Sequence, residues 1–290
     1  LLLQVYTQKR VELANGKVFG QENGEATKTL FVTMVSSVAG NYHDVVSLTP
    51  IVNITSKQIK SIFDSVLEAL TNIGFQVVCT TVDGHTTNMR FYRTEIGGGT
   101  MPTFMPNPND EESKIFLLFD STHIIKNLYN NFLNRREFLC PPFRHWEVPL
   151  KPKFCHVKEL HAMELGKPIK FAPRLTDKCL NPAPIERTNV KLANSVFHES
   201  TINGLRHYSG IRPEFSDTAE FISIIRTWWD IMNVKTPFVG KHKRDPNKEP
   251  YSAGNEHAKQ FLVDFSTWLK DWQRTSTRER CLSTETLTTT

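Results

Sequence analysis

Residues 75–88 read FQVVCTTVDGHTTN. An apolar, β-rich run ends in Asp83, Gly84 breaks it, and a polar turn from His85 to Asn88 opens a helix at Met89. Near-continuous apolar runs are what strands buried on both faces look like. Ligands of open α/β sheets gather at the carboxyl ends of such strands. A carboxylate there is aimed into a crevice, where it serves as a metal ligand or a general base. The plainer alternative is an N-cap for the following helix, a position that favours Asp. A second constellation lies in residues 119–132, FDSTHIIKNLYNNF. His123, Lys126, Asn127 and Asn130 share one helix face, opposite Ile124, Ile125, Leu128 and Phe132. A polar stripe with a cation can bind phosphate backbone or orient the nearby Asp120, and it is equally the ordinary solvent side of a helix. Cys155, His156 and His161 are half a zinc set, with no second pair at ligand spacing. The absence of GxxxxGK(S/T) excludes a P-loop.

The elements that must position these groups follow from the pattern. Residues 1–7, 29–38 and 44–52 are apolar strands, and their succession reads as an antiparallel meander. Residues 11–24 form a polar connection, with a hairpin at Asn15-Gly16 suited to a type I′ turn. Residues 56–73 make an amphipathic helix with Ile59, Ile62, Phe63, Val66, Leu67 and Leu70 on one stripe. Thr55 or Ser56 caps it and Gly74 ends it. The fourth strand runs to Asp83 and, being reached through a helix, can lie parallel to its neighbour. Residues 97–112 read as a surface loop, 114–120 as a fifth strand ending in Asp120, and 121–134 as a helix. The order β-β-β-α-β-α-β-α is that of a ribonuclease-H-like core with a mixed sheet. Beyond the prolines at 141 and 142 the texture turns α-helical, with helices over 189–207, 216–233 and 256–274 and a basic loop over 235–251.

The chain has 290 residues, of which 39% are hydrophobic and 22% charged, ordinary values for a globular protein of about two domains. No apolar run is long enough to span a membrane and no stretch of these residues reads as a signal peptide. The net charge of +5 is compatible with a polyanionic partner. Five scattered cysteines without a CxxC pair suggest reduced thiols in a cytosolic or nuclear setting. Opening within a strand and stopping just after a helix begins, the sequence reads as a fragment of a longer protein.

Several stretches together resemble P-element-type DNA transposases, the group that includes THAP-containing relatives. FDSTHIIKNLYNNF is similar to that family's Phe-Asp-x-x-His-x-x-Lys-Asn-x-x-Asn-Asn block. VDGHTTN precedes it, and APRLTDKCLNP, NVKLANSVF, TAEF, WWDIMN and LSTETL follow it, in family order. The resemblance implies a ribonuclease-H-like core interrupted by a helical insertion domain that binds GTP. The corresponding boundaries are 1–138 for the core, 139–265 for the insertion and 266–290 for the return to the core. It also implies Mg²⁺, held by three carboxylates, and DNA, the transposon ends, as partner. A homo-oligomer and a nuclear location are expected, with no membrane.

Carried over residue by residue, the family's second carboxylate matches Asp83 as catalytic residue and metal ligand. The first carboxylate position holds Gln4, within LLLQV, and the third, a Glu, lies beyond residue 290. Asp120 and Glu285 do not match that Glu's context. A neutral amide cannot replace anionic charge between two divalent ions, so cleavage and strand transfer are expected to be impaired. Nucleic-acid contact through His123, Lys126, Asn127 and Asn130 is retained on this reading. In the insertion domain, Trp229, Asp230 and Asn233 match the guanine-reading motif, with Trp in place of Phe. A carboxylate accepts from guanine N1–H and N2–H, an amide donates to an acceptor, and an indole stacks. Lys241, His242, Lys243 and Arg244 lie in the loop that would reach the phosphates. Read without the family, Trp228 and Trp229 are core residues and Asp230 is solvated. The competing function is a guanine-nucleotide-binding or protein-interaction module with no role on DNA.

Overall fold

The computed structural model describes residues 2–6, 12–14, 17–19, 21–22, 25–27, 29–38, 40–234, 236, 238–252 and 254–290, with backbone alone through residue 26 and at Glu111. Leu1, Thr7, the turn residues Asn15 and Gly16, and Lys235 lie outside that set. The chain forms two compact units, residues 1–120 and 121–290.

The first unit is built on a six-stranded sheet. Its main strands are β1 (Leu2–Tyr6), β6 (Thr29–Ser36), β7 (His43–Ile51), β8 (Cys79–Val82), β9 (Phe104–Asn107) and β10 (Asp110–Phe119). Two short ribbons, β2 (Glu12–Ala14) with β3 (Lys17–Phe19) and β4 (Gln21–Glu22) with β5 (Glu25–Ala26), occupy the connection after β1. The order across the sheet is β7-β6-β1-β8-β10-β9. β1, β6 and β7 pair antiparallel as a meander, while β8 runs parallel to both β1 and β10. Setting aside the edge strand β9, this is the third-second-first-fourth-fifth order of a ribonuclease-H-like sheet.

Helix α1 (Ser56–Asn72) supplies the crossover that makes β8 parallel. Thr55 and Gln58 close a capping box at its start, and Gly74 takes φ +95° after its end. Ile59, Phe63, Leu67 and Leu70 bury with Phe31, Val82, Ile115 and Leu117 in one cluster. Alternation along β10 is strict: Ile115 and Leu117 are buried and Phe116 and Leu118 exposed.

Three expectations for this unit change. The fourth strand begins at Cys79 and not at Phe75, whose ring instead stacks on Tyr42 at 5.8 Å. The helix after Asp83, α2 (Thr86–Arg90), starts before Met89 and continues as a π-helical turn, Phe91–Ile96. Residues 97–112 are no plain loop, because β9 pairs antiparallel with β10 through Met105↔Ile115. Pro106 hid this strand; at a sheet edge its missing N–H costs no ladder bond.

The second unit is helical: α3 (Ser121–Asn134), α4 (Phe154–Glu164), α5 (Asp177–Leu180), α6 (Val190–Val196), α7 (Glu199–Tyr208), α8 (Phe215–Met232), α9 (Phe238–Lys243), α10 (Glu256–Thr275) and α11 (Thr284–Thr289). Its core is aromatic. The Phe132 ring lies 5.0 Å from Phe221, 5.3 Å from Phe154 and 5.6 Å from Phe138, and Trp272 meets Phe138 edge-on at 5.1 Å. Asn131 ties α11 to α3 by accepting from Ser283 N–H at 2.8 Å and donating to Thr286 Oγ1 at 3.0 Å. Glu164, fully enclosed, closes the segment after α4 by accepting from Phe171 N–H at 2.8 Å and Ala172 N–H at 3.0 Å.

Residues 189–207 form two helices in place of one. Phe197 leaves the helical region (φ −83°, ψ 54°), and His198 starts α7 by accepting from Ser200 N–H. The basic loop contains α9 and a 3₁₀ turn, Pro246–Lys248. Among the described residues no helix is long and apolar enough to cross a membrane.

Candidate functional site

Asp83 ends the central parallel strand of the first unit. β1 and β8 are in register at Leu3↔Val82, and β10 and β8 at Phe119↔Val82. The next positions along these strands set Gln4 on one side of Asp83 and Asp120 on the other. Asp83 is not the cap of α2. His85 takes that place, its Nδ1 accepting from Thr87 N–H, while Asp83 Oδ1 accepts from His85 N–H at 2.9 Å and Asn88 Nδ2 at 2.8 Å. Asp83, His85 and Thr87 face a cleft of about 460 Å³ with Thr29 and residues 52–54 on its other wall.

The donor chemistry here tests whether a pair of divalent ions fits. One Asp83 oxygen already holds two donors, and the adjacent position on the neighbouring strand is occupied by Gln4. Among the described residues no three His, Cys, Asp or Glu side chains gather as a metal cluster. Hard divalent ions take anionic oxygens; at this strand end the positions of Asp83 and Asp120 carry carboxylates and that of Gln4 does not. Glu285 is exposed on α11 in the second unit.

The α3 residues are half-buried, not a solvent face. His123 and Lys126 are engaged in contacts of their own. Asn130 donates from Nδ2 to the Arg187 carbonyl at 3.2 Å, and its buried Oδ1 has no hydrogen-bond partner. Asn127, also half-buried, gives its main-chain carbonyl to Asn131 Nδ2 at 2.8 Å.

The last turn of α8 carries the second site. Trp229, Asp230 and Asn233 line one cavity of about 260 Å³, with Arg226, Lys243 and Lys248. Asn233 is the helix C-cap, its N–H bonded to the Trp229 carbonyl at 3.0 Å. Trp229 is 5% exposed, so the indole forms a wall of the cavity and little of its face is open. Asp230 is not solvated as a free carboxylate: Arg226 Nε reaches its Oδ2 at 2.8 Å and Nη2 its Oδ1 at 2.6 Å. Lys248 lies 3.4 Å from Asp230 Oδ2 and pairs with Asp245. Burial alone would raise the Asp245 carboxyl, but hydrogen bonds from Lys248 and Asn247 hold it below its ordinary value. Burial likewise would lower Lys248, and Asp245 and Asp230 together keep it above the usual range.

Arg226 and Lys248 did not stand out in the sequence. Arg226 is four residues before Asp230, the spacing of an ion pair on one helix face, and that was the available signal. Of the four cationic loop residues expected near phosphates, only Lys243 lines the cavity; Lys241, His242 and Arg244 are exposed.

Two family models match, a TNP-like RNase H N-terminal domain over residues 7–94 and a TNP-like GTP-binding insertion domain over residues 123–245. The chain belongs to the P-element-type, TNP-like transposase family. Among its relatives, the transposable element P transposase of Drosophila melanogaster is 24% identical over 178 residues, which cover 59% of this chain and 22% of that protein. The structure of the Drosophila P element transposase strand transfer complex shares the fold, with a TM-score of 0.81 at 16% identity, over 99% of this chain and 62% of that one. Apart from Lys248, the residues lining the α8 cavity fall within the segment matched by the family's insertion-domain model, and Asp83 falls within that of its RNase H domain.

Proposed function

We propose that this transposase-family chain binds a guanine nucleotide at the α8 cavity, associates with DNA in the nucleus, and does not itself cut or join DNA. The observation that carries the nucleotide reading is the convergence of Trp229, Asp230, Asn233, Lys243 and Lys248 on one cavity. Asp230 would accept from the N1–H and N2–H of guanine, Asn233 would donate to an acceptor on the base, and Trp229 would wall it. Lys243 and Lys248 supply positive charge for phosphates. A buried acceptor matched to a specific donor pair discriminates strongly, because the wrong base leaves polar groups unpaired.

Gln4 beside Asp83 supports the absence of strand-cutting chemistry. Two-metal phosphodiester transfer needs several anionic oxygens around the ions, and no Mg²⁺ step is assigned to these residues. The net charge of +5 supports a polyanion partner.

Tryptophan fluorescence titrated with GTP and with ATP tests the nucleotide reading: GTP quenches and ATP does not. No quenching at about millimolar GTP, a level at which even a 4 kcal/mol interaction is half saturated, removes it. Binding of duplex DNA that weakens steeply with salt separates this function from an interaction module without a DNA role. Magnesium- or manganese-dependent nicking that Asp83→Ala abolishes would overturn the claim of inactivity.

A further inference from the structure

Arg226 holds Asp230 by two parallel contacts, Nε to Oδ2 at 2.8 Å and Nη2 to Oδ1 at 2.6 Å. Both side chains are largely enclosed, 21% and 12% exposed. This is the fork-on-fork arrangement of a guanidinium and a carboxylate, which fixes direction as well as charge. By contrast Lys60 and Asp64, the same spacing on α1, form a point contact in the open, 32% and 47% exposed.

Guanine presents the same pattern as that fork. Its N1–H and exocyclic N2–H project side by side from one N–C–N unit, as the two N–H groups of a guanidinium do. A carboxylate has one edge on which both oxygens accept a parallel pair. Arg226 already fills that edge of Asp230, so guanine pairing there and the Arg226 fork exclude each other.

We propose that Arg226 is a built-in competitor for the base. It occupies the Asp230 edge, and guanine binds there only by displacing it. The inference rests on the reading that Asp230 receives guanine. It adds a source of selectivity. Adenine sets a single donor beside an acceptor, so it cannot restore the two bonds that Asp230 loses when Arg226 leaves. An enclosed carboxylate left half-paired is costly, and the fork therefore stays shut against adenine. Arg226 lines the same cavity as Lys243 and Lys248, so its charge remains at the site when the fork opens.

The test uses the full chain, Arg226→Met and Arg226→Lys, with guanosine as the main probe and GTP as the second. Guanosine lacks phosphates, so any attraction of a released Arg226 for phosphate drops out. Guanosine is expected to bind Arg226→Met at least fivefold more tightly than the native chain. Arg226→Lys keeps the charge but not the fork, and is expected to bind at least twofold more tightly. Circular dichroism melts check that each variant is folded; if the Met variant is not, the Lys variant decides on its own criterion. Guanosine affinity unchanged or weakened in the folded variants, while the native chain binds, overturns the competitor and leaves the guanine reading standing. No binding of guanosine or GTP by any of the three proteins overturns that reading and the competitor with it.

Discussion

Replacing Phe132 with alanine removes the ring at the middle of the second unit's core. Phe132 is 1% exposed and has ring neighbours at 5.0 Å (Phe221), 5.3 Å (Phe154), 5.6 Å (Phe138) and 6.3 Å (Phe197). Truncating a buried Phe costs about 3–5 kcal/mol, from lost transfer energy and the cavity left behind. Four ring contacts on different helices and loops leave little room for collapse, which puts the loss near the middle of that range, at about 4 kcal/mol. Phe132→Leu keeps most of the volume and costs about 1 kcal/mol. All five tryptophans, at 146, 228, 229, 268 and 272, lie in the second unit. Intrinsic fluorescence during urea unfolding therefore reports that unit alone. With a slope of about 2 kcal/mol per molar urea, alanine lowers the midpoint by about 2 M and leucine by about 0.5 M. Equal shifts for the two variants, or an alanine shift below about 0.5 M, would refute the assignment of Phe132 as the centre of the core.

Three further outcomes are expected. Glu164→Gln keeps the shape of the side chain but turns an amide NH₂ toward one of the two main-chain N–H groups it now accepts from. A loss of about 2 kcal/mol and faster tryptic cleavage at Lys170 follow, measured by urea unfolding and timed digestion. His156, buried with Nδ1 at 2.8 Å from Thr218 Oγ1, is pushed below its ordinary value of 6.5 by burial, against a smaller upward pull from Glu159. The unfolded chain then binds more protons below pH 6.5 than the native one, so stability present above that pH is lost as pH falls through the folded value. Melting temperature falls between about pH 7.5 and about pH 5.5, and falls less in His156→Asn. Tyr92, buried beneath the sheet, donates its hydroxyl toward the carbonyls of Thr80 at 3.2 Å and Leu118 at 3.3 Å. Tyr92→Phe costs about 1 kcal/mol, read by hydrogen exchange of the β8 and β10 amides.

What the sequence made legible was what local chemistry decides. The α1 stripe, its Thr55 cap and the Gly74 stop need no tertiary information, and the helix between β7 and β8 dictates a parallel pairing for β8. The strand order and the place of Gln4 beside Asp83 did not follow from that crossover; they came with the fold that the family resemblance implies. Elements set by longer-range packing were harder to read. β9 exists because β10 offers an edge, and its proline argues against a strand unless that edge is known. The break at Phe197 and His198 carries no Gly or Pro; Phe197 turns out of the helix to join Phe132 and Phe221 in the core. The α8 cavity was half legible. Trp229, Asp230 and Asn233 stood out through family resemblance, whereas Lys248 reaches them only because a 3₁₀ turn folds back on α8.

The place of β1 in the sheet has a consequence for biosynthesis. Its antiparallel neighbour begins at Thr29, but its parallel neighbour begins only at Cys79. A nascent chain emerging from the ribosome can assemble β1, β6 and β7 early, yet one flank of β1 stays uncovered until α1 and β8 have also been extruded. Non-local pairing of this kind is slow to form, and an open strand flank is a template for pairing with other chains. Translational pauses within α1 would lengthen that exposed interval, and pauses after Asp120 would not.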